Sequence, residues 1–82
     1  VSQELIEMPH IIVKCWPGSS EEEKAKLADR IVQAGVEILG KGEDAFSVAI
    51  EEVNPNEWAD KVYRPEIVPA MDKLYKKPGY KM

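Results

Sequence analysis

The sequence predicts an α/β (α+β) fold: a β-α-β unit with parallel strands, a short C-terminal helix, and a sheet completed by oligomerisation. Three observations carry this. Ile11, Ile12 and Val13 form a consecutive β-branched run, the composition of a strand covered on both faces. A capped, amphipathic segment follows Pro17-Gly18. A second apolar run, Phe46 to Ile50, alternates with Ser47, Ala49 and Glu51, as a half-buried strand does.

Each element has its own punctuation. The first strand spans His10 to Trp16 and ends at Pro17-Gly18. Ser20 opens the helix, and Glu23 stands three residues on in capping-box spacing. Glu21, Glu22 and Glu23 suit the positive end of the helix dipole. Leu27, Ala28, Ile31, Val32, Gly35, Ile38 and Leu39 recur at helical spacing, and Gly40 and Gly42 stop the helix. A strand, a long helix and a strand make a right-handed crossover with the strands parallel. Asn54-Pro55-Asn56 then breaks the pattern. A helical turn is expected from Trp58 to Val62. A last helix is expected behind Pro65 and Pro69, with Met71, Leu74 and Tyr75 on its apolar side and Pro78-Gly79 at its end.

Two parallel strands and one long helix leave unpaired sheet edges and an uncovered face. The 82 residues form one small domain. A chain of this size hides only about 60% of its unfolded surface. Cys15 is the single cysteine, so no intrachain disulfide supports the core. A partner subunit is the expected remedy, most simply in a homodimer.

Composition narrows the function. With 44% hydrophobic and 32% charged residues the chain is globular. A net charge of −4 argues against general nucleic-acid binding. No apolar run approaches the roughly 20 residues that span a bilayer, so no membrane partner is expected. VSQELIE lacks the basic start and apolar centre of a secretory signal. A cytoplasmic protein with a reduced thiol is the expectation. Residues 1–8 read as an N-terminal extension of open origin, and residues 9–82 as the domain.

Pro9 is the most informative residue. It follows Met8, which with a small residue behind it resembles a translation start that is trimmed in the cell. Trimming would leave Pro9 with a free secondary amine on a rigid ring, able to act as a general base or nucleophile. Behind residues 1–8 the same nitrogen is an amide without useful basicity. The structural alternative is a proline that merely begins a strand.

The leading proline and the order of elements resemble the tautomerase superfamily, which includes 4-oxalocrotonate tautomerase. The resemblance runs from Pro9 to the end of the chain and rests on PHIIVKCWPG, EEEKAKLADRI, SVAIEEVNPNEW and, most specifically, EIVPAMDKLYKKPGYKM. Within that group the chain is most similar to the short bacterial phenylpyruvate-type tautomerases. The resemblance implies a cofactor-free keto–enol tautomerase, an isomerase, with Pro9 as catalytic base. It also implies a homodimer; the best-known relatives are hexamers. Those relatives carry one arginine shortly after the first strand and another in the second strand. Here Ser19 stands at the first place and Ala49 near the second. A substrate with one carboxylate, or an aromatic enol such as phenylpyruvate, therefore fits better than a dicarboxylate.

A 1,3-proton shift needs one base that takes a proton from one atom and returns it to another. An amino-terminal amine has a reference pKa of about 7.7–8.0, and an apolar site or nearby cations lower it. The run behind Pro9 offers such surroundings. His10 could donate to a substrate oxygen, although a lone histidine at a strand start is more often a packing residue. His10 and Cys15 fall on opposite strand faces, which argues against a metal site, and Cys15 reads as a small core residue. Trp58 and Trp16 could line an aromatic pocket or an interface. Arg64, near Trp58, is the first candidate carboxylate clamp, ahead of Arg30, Lys14 and Lys41. Lys76, Lys77 and Lys81 read as helix-end charges. Two other readings stay open. One is hydration, dehalogenation or decarboxylation at the same proline. The other is a non-catalytic dimeric scaffold with Pro9 blocked. Amino-terminal sequencing of the cellular protein separates them, since an end at Pro9 fits an enzyme and an end at Val1 a scaffold.

Overall fold

The computed structural model describes residues 8–82. The reading of residues 1–7 lies outside the described residues. Strand β1 (His10–Cys15) pairs in parallel with β2 (Ser47–Glu52), with His10 opposite Ser47 and Cys15 opposite Glu52. Helix α1 (Glu21–Leu39) makes the crossover between them. The expected β-α-β unit is present.

The sequence signals act as expected at α1. The Ser20 hydroxyl accepts from the Glu23 N–H at 3.1 Å, and the Glu23 carboxylate accepts from the Ser20 N–H at 2.9 Å. Two of the helix's orphan donors are thereby satisfied. Gly40 closes the helix in the left-handed region (φ 73°), and its N–H donates to the Val36 carbonyl at 3.1 Å. A left-handed residue is cheap only for glycine.

The two sheet faces differ. Ile11, Val13, Val48 and Ile50 share the face turned to α1, as does Phe46 just before β2. The Phe46 ring lies against Gly35, where a Cβ would meet it at 2.6 Å from Cζ. At the other end of the helix, Lys24 Nζ sits 2.8 Å from Glu21 and 3.2 Å from Glu52. These hydrogen bonds, first to Glu21 and then to Glu52, raise the Lys24 pKa above 10.5. His10, Ile12, Lys14, Ser47, Ala49 and Glu51 lie on the opposite face. The β-branched run predicted cover on both sides, yet Ile12 remains 48% exposed. A single chain supplies only one full layer, and the sheet stays open at its edges, consistent with completion by oligomerisation. The helical stripe also overhangs. Nineteen residues make about 28 Å of helix against about 20 Å of six-residue strand. Ile38 and Leu39 accordingly lie exposed beyond the sheet.

The carboxyl third departs from expectation. Helix α2 (Pro55–Trp58) runs on as a π-helical segment, Ala59–Ile67, straight through Pro65. An α-helix interior rejects proline, which lacks a donor and clashes with the carbonyl four residues back. The wider turn relieves this, and Val68 N–H reaches the Tyr63 carbonyl, five residues back, at 2.9 Å. The last helix expected behind Pro69 shrinks to one 3-10 turn, Met71–Lys73. Tyr75, assigned to its apolar side, is fully exposed. Val62 and Tyr63, at 5% and 6% exposure, are the most deeply buried of the described residues.

Candidate active site

Pro9 stands at the head of β1, half-buried. Proline brings no N–H to a sheet, so the ladder begins at its carbonyl, which accepts from the Ser47 N–H at 3.1 Å. Ser47 makes a second tie. Its Oγ and His10 Nδ1 share a 2.6 Å hydrogen bond. One residue of β2 therefore grips both Pro9 and its neighbour. His10 keeps its second ring nitrogen for another partner. His10 and Cys15 fall on opposite faces, as expected.

A pocket opens at the other end of the strands. Trp16, directly after β1, meets Trp58 of α2 and the carboxyl-terminal Tyr80, Lys81 and Met82 around a cavity of about 380 Å³. The Trp58 indole N–H donates to the Tyr80 hydroxyl at 3.1 Å. Tyr80 also packs on Tyr63, with ring centroids 5.7 Å apart. These contacts anchor the carboxyl-terminal segment on the buried part of the π-helical turn. Two indoles, a phenol and a thioether form walls suited to a flat apolar group.

Trp16 and Trp58 thus line an aromatic pocket together. Pro9 is elsewhere in the same chain. It lies seven residues before Trp16, about 23 Å along an extended strand. Arg64, the first expected clamp, does not line the pocket; its guanidinium is 2.6 Å from Asp60 one helical turn away. Lys14 pairs with Glu66 across the open sheet face, and that hydrogen bond raises its pKa above 10.5. Lys76 donates to the Lys77 carbonyl at 2.9 Å. Tyr80, Lys81 and Met82 were missed as pocket residues in the sequence. The segment carrying them is irregular, so no periodicity points at Trp58.

A family model described as "Tautomerase enzyme" matches residues 9–63, beginning at Pro9. The chain belongs to the tautomerase family. This tautomerase is 46% identical over 74 residues to Tautomerase PptA of Pectobacterium carotovorum, covering 89% of this chain and 97% of that one. It is 43% identical over 76 residues to Tautomerase PptA of Cronobacter sakazakii, covering 92% and 100%. Among solved structures it resembles TomN, a 4-oxalocrotonate tautomerase homologue in the tomaymycin biosynthetic pathway. The TM-score is 0.59 with 36% identity, over 61% of this chain and 77% of TomN. The chain is accordingly an isomerase. Among the described residues no helix is long and apolar enough to cross a membrane.

Proposed function

We propose that this tautomerase is a cofactor-free keto–enol isomerase of a small 2-keto or enol acid bearing one carboxylate, aromatic in its best substrates. The base is the Pro9 amine, freed by removal of residues 1–8 from the domain at 9–82. The supporting observation is the placement of Pro9. It is the residue at which the sheet ladder starts and at which the family match begins. The amine takes the enol hydroxyl proton as the carbonyl forms. The resulting ammonium then delivers that proton to the neighbouring carbon, so the amine is regenerated and no co-reactant is needed. A base of this kind works best with a pKa near the working pH.

The working unit in this reading is a two-fold homodimer. Pro9 and the aromatic pocket sit at opposite ends of one strand. Antiparallel pairing of two open β1 edges brings the Pro9 of one subunit towards the partner's pocket, twice per dimer, as an isologous interface requires. The exposed Ile12, Ile38 and Leu39 supply apolar area for such contacts. The single thiol Cys15 suits a cytoplasmic location. His10, tied to Ser47 at 2.6 Å, is the donor to a substrate oxygen in this reading.

The test compares rate against pH for a chain beginning at Pro9 and the chain beginning at Val1, with phenylenolpyruvate as substrate. The trimmed form should be faster by about 10²- to 10⁴-fold, the usual worth of one general base. Equal rates with one pH profile would remove Pro9 as the base and favour chemistry elsewhere or a scaffold.

A further inference from the structure

Pro9 accounts for the proton but not for what holds the remainder of the substrate. We infer that the pocket of Trp16, Trp58, Tyr80, Lys81 and Met82 binds a small aromatic monocarboxylate, with Lys81 as the anchor of its carboxylate. This deepens the function proposed above and rests on it for its place in the reaction.

Size, walls and charge agree. A cavity of about 380 Å³ lies at the small end of the usual range for ligand pockets, roughly 300–1,000 Å³. Its walls are aromatic rings and a methionine, which favour a flat ring. Among the described residues, Lys81 is the one cationic side chain lining it, and no carboxylate side chain does. Three other cations are engaged elsewhere: Arg64 with Asp60, Lys14 with Glu66, Lys61 with Glu57. A lysine ammonium is a compact charge with three donors. One such charge satisfies one carboxylate; a second would be pressed unpaired onto apolar wall, which is costly. Tyr80 adds a donor. Its oxygen accepts from Trp58, which leaves the hydroxyl hydrogen for the ligand. Lys77, only four residues before Lys81, lines an adjoining hollow of about 300 Å³ that shares Tyr80 and Lys81 but not the tryptophans, so it serves as the control for binding there instead.

Both tryptophans of the chain line the pocket, so ligand entry reads out in the intrinsic fluorescence of the full chain. The probes are 3-phenylpropanoate, which cannot turn over, and its neutral counterpart 3-phenylpropan-1-ol. Wild type should prefer the acid. Lys81→Met should weaken the acid by about 10- to 100-fold, the worth of one hydrogen bond to a charged group, and leave the alcohol unchanged. Lys81→Arg should restore most of the loss, and Lys77→Met should bind both like wild type. In turnover by the chain beginning at Pro9, Lys81→Met should raise KM and keep kcat. The assignment is overturned if Lys81→Met binds the acid as wild type does, or if Lys77→Met loses as much. Binding that depends on Lys81 without turnover by the trimmed chain would sink the Pro9 reading and leave the pocket assignment standing.

Discussion

Gly35→Ala tests the packing that supports the Pro9 end of the sheet. In an ordinary exposed helix the change stabilises by about 1 kcal/mol through helix propensity. Here the new Cβ would lie 2.6 Å from Phe46 Cζ and closer still to Cε2. Carbon atoms rest at about 3.5–4.0 Å, so the ring must withdraw by an ångström or more, or the helix must lift. Overpacking of this kind costs about 1–3 kcal/mol. The balance is a net destabilisation of about 1 kcal/mol, equivalent to a fall in Tm of about 4–8 °C for a domain of this size. Urea unfolding at several protein concentrations measures it, because assembly adds a concentration-dependent term. Phe46→Leu should absorb the clash. The double variant should then recover about 1 kcal/mol beyond additivity, the signature of residues in contact. Phe46 also immediately precedes Ser47, so Gly35→Ala should lower turnover by the trimmed chain along with stability. A Gly35→Ala protein more stable than wild type, with no coupling to Phe46, would refute the reasoning.

Three further outcomes are expected. Ser47→Ala removes the 2.6 Å bond to His10 but keeps the backbone donor to Pro9; kcat should fall roughly 2- to 12-fold with the melting temperature little changed. Arg64→Gln breaks only its pair with Asp60; KM should stay unchanged, and unfolding should shift by about 0.3–0.5 kcal/mol, the usual worth of a helical i,i+4 pair. The third concerns Lys24, whose pKa is raised above 10.5 in the fold, first by Glu21 and then by Glu52. Its contribution is complete below 10.5 and is lost as pH rises through the folded value. The Tm difference between wild type and Lys24→Met should therefore persist to about pH 10 and vanish at more alkaline pH.

The β-α-β unit was legible because its signals are local. Ser20 and Glu23 form the capping box their spacing promises, Gly40 closes α1, and Ile11–Val13 and Phe46–Ile50 fall within or beside the paired strands. The carboxyl third was not legible, because its structure answers to tertiary contacts. Pro65 reads as a helix breaker, yet the chain widens into a π turn that keeps Val62 and Tyr63 buried. The candidate site was legible only in its residue types. Pro9 and the two tryptophans stand out by residue type. Lys81 looked like a helix-end charge because no helix-independent route from Tyr80 to Trp58 can be seen before the fold is known. The pairing of Arg64 with Asp60, one turn away, was likewise not read from the sequence.

The hydrogen bond from Ser47 to the Pro9 carbonyl has a practical consequence. Everything the sheet asks of Pro9 is asked of its carbonyl side; its nitrogen contributes nothing to the ladder. Chemistry at that nitrogen is therefore separable from folding. In the proposed reading, an acyl cap, an alkylating inhibitor or a retained peptide would silence the amine while the strand register, the α1 packing and the aromatic pocket stay as they are. Reagents aimed at the amine can be scored for inactivation against an unchanged melting curve.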